Sequence, residues 1–305
     1  MRTNFIQTLT SLAEENERLF LLVGDLGYSV VEDYVKKFPE RYVNVGVAEQ
    51  NMMGIAAGLA LSGNIVFTYT FTNFTTFRCL EQIRNDICYH NTDVKIVSIG
   101  SGFSYGYLGT THHGIEDVAI MAALPNMTVI SPCDPIETAL AIKACISWKG
   151  PCYIRVRRTG EKNVHKIPPD FKIGKAIMTK DGSDVTLIAC GWIINNVIKA
   201  AELLAKDGFN ARIISMHTIR PLDTEMITRC AKETGAIVTV EDHITSGLGS
   251  RVAMTLASSP QRATPFMSLG LKEGYSYDVG SEDYHLNKAN LLPEGIHQSV
   301  VQLLR

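Results

Sequence analysis

Val43-Asn44-Val45-Gly46-Val47-Ala48-Glu49-Gln50-Asn51 turns the chain from strand to helix. A short apolar run ends at Gly46, and a helical pattern begins near Glu49. The carboxylate therefore stands at a helix N-terminus among apolar neighbours. The helix dipole favours a negative charge there, so a simple capping acid is one reading and a chemically used carboxylate the other. The same step from strand to helix recurs on both sides. Leu19–Val23, Ile65–Phe67, Val94–Ile99, Met127–Ile130 and Tyr153–Val156 read as short buried strands. Helical stretches over 3–16, 49–61, 74–89, 116–124 and 135–148 lie between them. This alternation predicts an α/β fold, a mostly parallel sheet covered by helices.

The pattern lapses over 159–183, where Pro168-Pro169 sits among Lys162, Lys166, Asp170, Lys172 and Lys175. It then resumes with strands at 184–190, 211–216, 236–241 and 266–269 and helices at 195–206, 223–234, 247–257 and 294–304. The expected organisation is two doubly wound, mostly parallel-sheet domains, 1–160 and 184–305, joined by a linker over 161–183. A chain of 305 residues is long enough for two cores at roughly 150 residues each.

Hydrophobic residues make up 46% and charged residues 20%, which excludes a disordered chain. A net charge of -2 argues against nucleic acid or an anionic membrane as the main partner. The longest apolar run, Met52–Leu61, is too short to span a bilayer, which needs about 20 apolar residues. Met1-Arg2-Thr3-Asn4 does not open a signal peptide. Seven cysteines without a C-x-x-C pair read as reduced thiols, and a cytoplasmic location is expected.

Two further stretches carry chemistry. Thr70-Phe71-Thr72-Asn73-Phe74-Thr75-Thr76-Phe77 sets three phenylalanines three residues apart, near one helical face; core packing and a ring-binding pocket both fit. Ser101–Gly114 is a glycine-rich loop after a strand, ending in His112-His113-Gly114. Loops at the carboxyl ends of parallel strands are where α/β sites form, and histidine exchanges protons near neutral pH.

Taken in order, Gly46-x-Ala48-Glu49-Gln50, Thr70-Phe71-x-Asn73-Phe74, Gly109-x-Thr111-His112 and Ser131-Pro132-x-Asp134 resemble the pyrimidine-binding domain of transketolase. They are also similar to 1-deoxy-xylulose-5-phosphate synthase. Thr218-Ile219-Arg220-Pro221-Leu222-Asp223, Val240-Glu241-Asp242-His243 and Gly247-Leu248-Gly249-Ser250 resemble the family's C-terminal domain. The likeness spans nearly the whole chain.

This resemblance implies thiamine diphosphate and transfer of a two-carbon ketol unit. Glu49 matches the glutamate that hydrogen-bonds N1′ of the aminopyrimidine and promotes its imino tautomer. Phe71, Phe74 and Phe77 match the aromatic pocket, with Phe74 favoured for the stack. His112 matches the histidine near the donor sugar's C1 hydroxyl and carbonyl. His113 stands where the family often has glutamine. Arg2 and Arg158 match phosphate-binding arginines, although Arg155 and Arg157 beside Arg158 also fit a plain basic edge. Ser29 matches a phosphate-contacting serine.

The sequence departs from the family at Leu108, where transketolases carry an aspartate that reads a sugar hydroxyl. A further phosphate-binding histidine is replaced by Gly100 or Ser101. An atypical sugar substrate is expected. The family's diphosphate and metal site belongs to a separate domain. Gly24-Asp25-Leu26-Gly27 with Asn51 is only a near match to its motif, and no metal ligands are assigned here. The expectation is a split enzyme: this chain with an N-terminal partner subunit that carries Mg²⁺ (or Ca²⁺), assembled as α2β2. Without its partner the chain is expected to expose an apolar interface, or to self-dimerise and cover it. The alternatives weighed are the beta subunit of a 2-oxoacid dehydrogenase decarboxylase and a non-catalytic homologue.

Overall fold

A computed structural model describes residues 1–158, 162–259 and 264–305. The boundary read at 160/161 lies outside the described residues. In the first half the strands are β1 (Leu19–Val23), β2 (Tyr42–Asn44), β3 (Ile65–Phe71), β4 (Val94–Ile99), β5 (Thr128–Ile130) and β6 (Cys152–Val156). The second half supplies β7 (Ile177–Lys180), β8 (Val185–Ala189), β9 (Ala211–Ser215), β10 (Thr218–Arg220), β11 (Ala236–Ile244) and β12 (Phe266–Leu271). They form a seven-stranded sheet, β10-β5-β6-β4-β3-β1-β2, and a five-stranded sheet, β12-β11-β8-β9-β7.

Each sheet is parallel except at one edge. β7 runs antiparallel to β9, and β10 runs antiparallel to β5. Two features depart from the sequence reading. The segment read as linker contributes β7 as an edge strand of the second sheet. β10 comes from the second half of the chain yet closes the first sheet. Both strands are short, and a strand of three or four residues leaves too little alternation to read.

β3 is buried along six of its seven residues, with apolar and threonine side chains on both faces. A central parallel strand covered by helices on both sides has this character. On one face, Phe5 from the Arg2–Glu15 helix stacks on Tyr69, centroids 5.5 Å apart. The seven cysteines are buried and unbridged. No helix among the described residues is long and apolar enough to cross a membrane.

Two buried polar clusters join the halves. In one, Arg155 on β6 is fully enclosed. Its Nε donates to Asp117 Oδ2 at 3.0 Å, and Nη1 donates to Asp242 Oδ1 at 2.6 Å. Nη2 donates to the carbonyls of Gly114 and Asp242. The His243 ring completes this joint. Nδ1 lies 2.7 Å from the Ile244 carbonyl and so carries the proton, which leaves Nε2 to accept from Val118 N–H at 3.1 Å. Burial pulls this histidine below its ordinary pKa, in keeping with a neutral acceptor.

In the other cluster, Glu137 accepts from Cys133 N–H, from the Ser215 hydroxyl of β9 and from His165 at 2.9 Å. Burial pushes the Glu137 carboxyl up, but the His165 hydrogen bond and the other donors outweigh it and hold the group below the usual range. Cys133, Glu137 and His165 are metal-ligand types standing close together. The carboxylate oxygens are already engaged by protein donors, so this cluster reads as a clamp between halves.

Candidate functional site

The first sheet reverses its winding between β1 and β3, since the chain passes from β1 to β2 on one side and to β3 on the other. In open α/β sheets the ligand crevice lies at such a switch point, beyond the carboxyl ends of the strands. Gly24 follows β1 there. A Cβ at Gly24 would press on Thr70 Oγ1 at 3.1 Å and Glu49 Cγ at 3.3 Å. Glycine at this position therefore lets Glu49 pack against the ends of β1 and β3.

Glu49 is the first residue of the Glu49–Leu61 helix and is 1% exposed. Its Oε2 accepts a hydrogen bond from Arg78 Nη1 at 2.6 Å. The Thr70 hydroxyl beside it is buried without a partner among the described residues.

Beyond β3 the expected helix over 74–89 is broken into Thr72–Thr76, Leu80–Gln82 and a π-helical turn at Ile83–Cys88. Threonine is a poor helix former, and the Thr76 hydroxyl bonds back to the Thr72 carbonyl at 2.7 Å, a contact that bends helices. The short first piece is held from below. The Thr72 hydroxyl donates to the Ile99 carbonyl and lies 2.7 Å from Ser98 Oγ. Ser98 meets Tyr153 Oη, and Tyr153 donates to Asp117 of the interdomain cluster. A buried hydrogen-bond chain thus runs from Asp242 in the second half to the turn that presents Phe74.

The rings gather around that turn. Phe71 and Phe74 meet edge to face with centroids 5.4 Å apart. His112 stands 5.4 Å from Phe71 and 5.3 Å from Phe74. Asn73 fixes its loop by donating to the carbonyls of Thr110 and Thr111. Burial lowers the His112 pKa, so the imidazole is neutral near pH 7. Phe77 is 42% exposed and makes no ring contact with Phe71 or Phe74 among the described residues.

Tyr105, which the sequence reading did not single out, extends the cluster to the arginines. Its ring lies 4.9 Å from Phe71, and Gly100 makes room for it. A Cβ at Gly100 would meet the Tyr105 ring at 2.5 Å, so only glycine leaves room for the tyrosine here. Arg158 Nη1 donates to Tyr107 Oη at 2.7 Å, and its guanidinium lies 5.2 Å from the Tyr105 centroid. Arg2, at the start of the first helix, stands near Tyr69 and Tyr105; its Nε is buried without a hydrogen-bond partner among the described residues. Burial raises the Tyr105 pKa, and the two guanidiniums pull against that rise. Arg2 and Arg158 therefore face one tyrosine from two parts of the chain. Their neighbours are used elsewhere: Arg155 in the buried cluster, and Arg157 against Glu282 and the Trp192 ring.

His113, Ser29 and Asp25 lie apart from these rings. His113 points the other way, buried against Phe103 and His285 between the two halves. Ser29 is exposed with φ 59, donates its N–H to Glu32, and lines a groove with Thr3 and Ser11. Asp25 pairs with Asn44 in the loops beyond β1 and β2. Leu108 is half-exposed in a turn just before His112.

The arrangement offers a buried carboxylate, a ring face and a neutral imidazole near the switch point, with two guanidiniums around Tyr105. Gly24 lets Glu49 close on the ends of β1 and β3, and the buried Thr70 hydroxyl there has no partner among the described residues. The residues present fit the pyrimidine half of thiamine diphosphate.

A crevice of this kind, at the switch point of one α/β unit followed by a second, is the architecture of the transketolase pyrimidine-binding half. The sequence profile of the transketolase pyrimidine-binding domain matches residues 1–160, and that of the transketolase C-terminal domain matches 174–291. The chain belongs to the transketolase family. An apulose-4-phosphate transketolase subunit of Phocaeicola vulgatus is 35% identical over 312 residues, covering 100% of this chain and 97% of that protein. The 6-deoxy-6-sulfo-D-fructose transketolase subunit SqwH of a Clostridium species is 35% identical over 298 residues, covering 97% and 92%. Among solved structures, a split gene transketolase described as an inactive beta4 tetramer superposes with TM-score 0.91 at 36% identity, covering 100% of this chain and 99% of that one.

Proposed function

We propose that this chain is the C-terminal subunit of a two-component transketolase and uses thiamine diphosphate shared with an N-terminal partner subunit. The observation that carries the reading is the buried Glu49 carboxylate at the sheet's switch point, joined through Arg78 to Phe74, whose ring lies 5.3 Å from His112. Bound thiamine diphosphate supplies an electron sink for carbon–carbon bond cleavage and formation at a ketose carbonyl. Glu49 would hold N1′ of the aminopyrimidine by a hydrogen bond, giving it a proton from its carboxyl group and taking that proton back. Phe74 offers the ring for stacking and Phe71 walls the pocket, while Phe77, exposed and out of ring contact with both, reaches it only if the cofactor or partner draws it in. The neutral His112 exchanges a hydrogen bond or proton with the donor's hydroxyl or carbonyl oxygen. Arg2 and Arg158 hold the anionic end of a sugar phosphate; His113, turned between the two halves, and Ser29, in a separate groove, take no part in that contact.

The partner supplies the diphosphate site and its Mg²⁺ (or Ca²⁺), in an α2β2 assembly. Support for a partner comes from the surface beside the site. Val47, Leu61 and Tyr89 are largely exposed, and a Cβ at Gly54 or Gly58 of the Glu49–Leu61 helix would meet nothing within 4 Å. A bare helix face flanked by exposed apolar side chains is suited to burial against another subunit. We place the protein in the cytoplasm, which fits its seven unbridged cysteines. An apolar Leu108 at the family's acidic position supports a sugar that differs from an ordinary ketose at the hydroxyl read there. The transketolase subunits of similar sequence carry the names of such unusual sugars.

The test is calorimetric titration of thiamine diphosphate with Mg²⁺ into the chain alone and into its mixture with the candidate partner subunit. Binding is expected only in the mixture; tight binding to the chain alone would overturn the shared site. For substrate, Arg158→Ala is expected to raise KM for a phosphorylated donor about tenfold with little change in kcat, the pattern of lost ground-state binding. An unchanged KM would move the anion contact away from Arg158.

A further inference from the structure

Arg78 follows the phenylalanine run directly, and no reading of the motifs gave it a role. Its guanidinium carbon lies 4.3 Å from the Phe74 ring centroid, and its Nη1 donates to Glu49 Oε2 at 2.6 Å. A guanidinium is a flat, nitrogen-rich group with N–H donors in its plane. Here it covers one ring and bonds one carboxylate. Those are the two contacts that the proposed function gives to the aminopyrimidine ring. A ring that takes up the same carboxylate oxygen and the same face of Phe74 has to displace the guanidinium.

We propose that Arg78 is a positioning residue for Glu49: it holds the carboxylate in place and keeps the aminopyrimidine seat filled until the cofactor ring displaces it. This inference rests on the reading of the site as a thiamine diphosphate pocket. Burial makes an unpartnered carboxylate costly, and Glu49 is 1% exposed. Arg78 supplies its partner while the seat lacks a ligand. The arginine side chain is itself 42% exposed, so it can swing into solvent without losing a buried site of its own. The exchange is one of equivalents. The incoming ring takes over both the stack and the hydrogen bond, while Arg78 regains hydration.

The experiment is calorimetric titration of thiamine diphosphate with Mg²⁺ into the assembled two-subunit enzyme, comparing wild type, Arg78→Ala and Arg78→Lys. Arg78→Ala removes the competitor and is expected to bind the cofactor about tenfold tighter, the size of one displaced charge-assisted hydrogen bond. Arg78→Lys keeps a charge for Glu49 but has no plate to lay on Phe74, and is expected to fall between the two. Stopped-flow measurement is expected to show faster cofactor association in Arg78→Ala. Equal or weaker binding by a folded Arg78→Ala would overturn the proposal, as would Arg78→Lys binding more weakly than wild type. Absence of binding by the wild-type mixture would instead overturn the function reading, so the two failures are distinguishable. Should Arg78→Ala fail to assemble, Arg78→Lys alone decides by the direction of its change.

Discussion

Glu49→Gln is expected to cut ketol transfer by the assembled enzyme by about 10²–10⁴-fold, the usual worth of a positioned acid–base group. Glutamine fills the same volume at the start of the Glu49–Leu61 helix and still reaches the seat beside Phe74. It cannot take the proton at N1′ that the carboxylate exchanges. Glu49 is buried, with its side chain packed close to Gly24 and Thr70, and glutamine keeps that packing while removing the buried charge. The ion pair with the half-exposed Arg78 is lost, at a cost on the order of 1 kcal/mol or less. The measurement is kcat at saturating cofactor together with thermal melting of the same preparation. Turnover within a factor of a few of wild type would sink the assignment. A melting transition far below wild type would show that Glu49 is a structural acid.

Arg155→Ala is expected to destabilise the chain by about 3–5 kcal/mol, the cost of removing one member of a buried ion cluster. The guanidinium is enclosed with Asp117 and Asp242, one from each half, and it bonds two carbonyls as well. Alanine leaves two buried carboxylates facing each other without a counter-charge. The two halves should then part more easily, and the chain through Tyr153 and Ser98 should no longer hold Thr72. Urea unfolding followed by far-UV circular dichroism checks this. A lowered midpoint with a smaller slope would mean that the halves have uncoupled. A loss under about 1 kcal/mol would mean that the cluster is solvated in solution, as an exposed ion pair is.

The legible parts of the fold were its central strands. Ile65–Phe67 and Val94–Ile99 are buried on both faces, so their apolar runs stand out without any partner being known; the continuation of the first through Thr68–Phe71, rich in threonine, did not. β7 and β10 escaped notice because edge strands of three or four residues carry no pattern of their own; their positions come from pairing with β9 and β5. In the site, Glu49, Phe71, Phe74 and His112 stood out as candidates in stretches that follow a strand, and the resemblance gave them their roles. Arg2 and Arg158 were assigned only by resemblance, and what joins them is Tyr105, from a third part of the chain. Arg78 could have been noticed from its place directly after Phe77. Nothing in one dimension tells whether a guanidinium four residues past Phe74 turns back over it, however, since that depends on the break in the helix after Thr76.

The strand that the second half lends to the first sheet bears on how genes of this kind recombine. With β10 laid along β5, the two halves are not independent cassettes. A crossover in the proline-rich connection would pair each first half with a foreign edge strand. β5 would then face a donor with the wrong register, or would stand with its backbone groups open to pairing with other chains. Viable chimaeras should keep 218–220 with the parental first half, or exchange the whole chain at once. Swaps between subunits should therefore succeed at the borders of the gene more often than inside it.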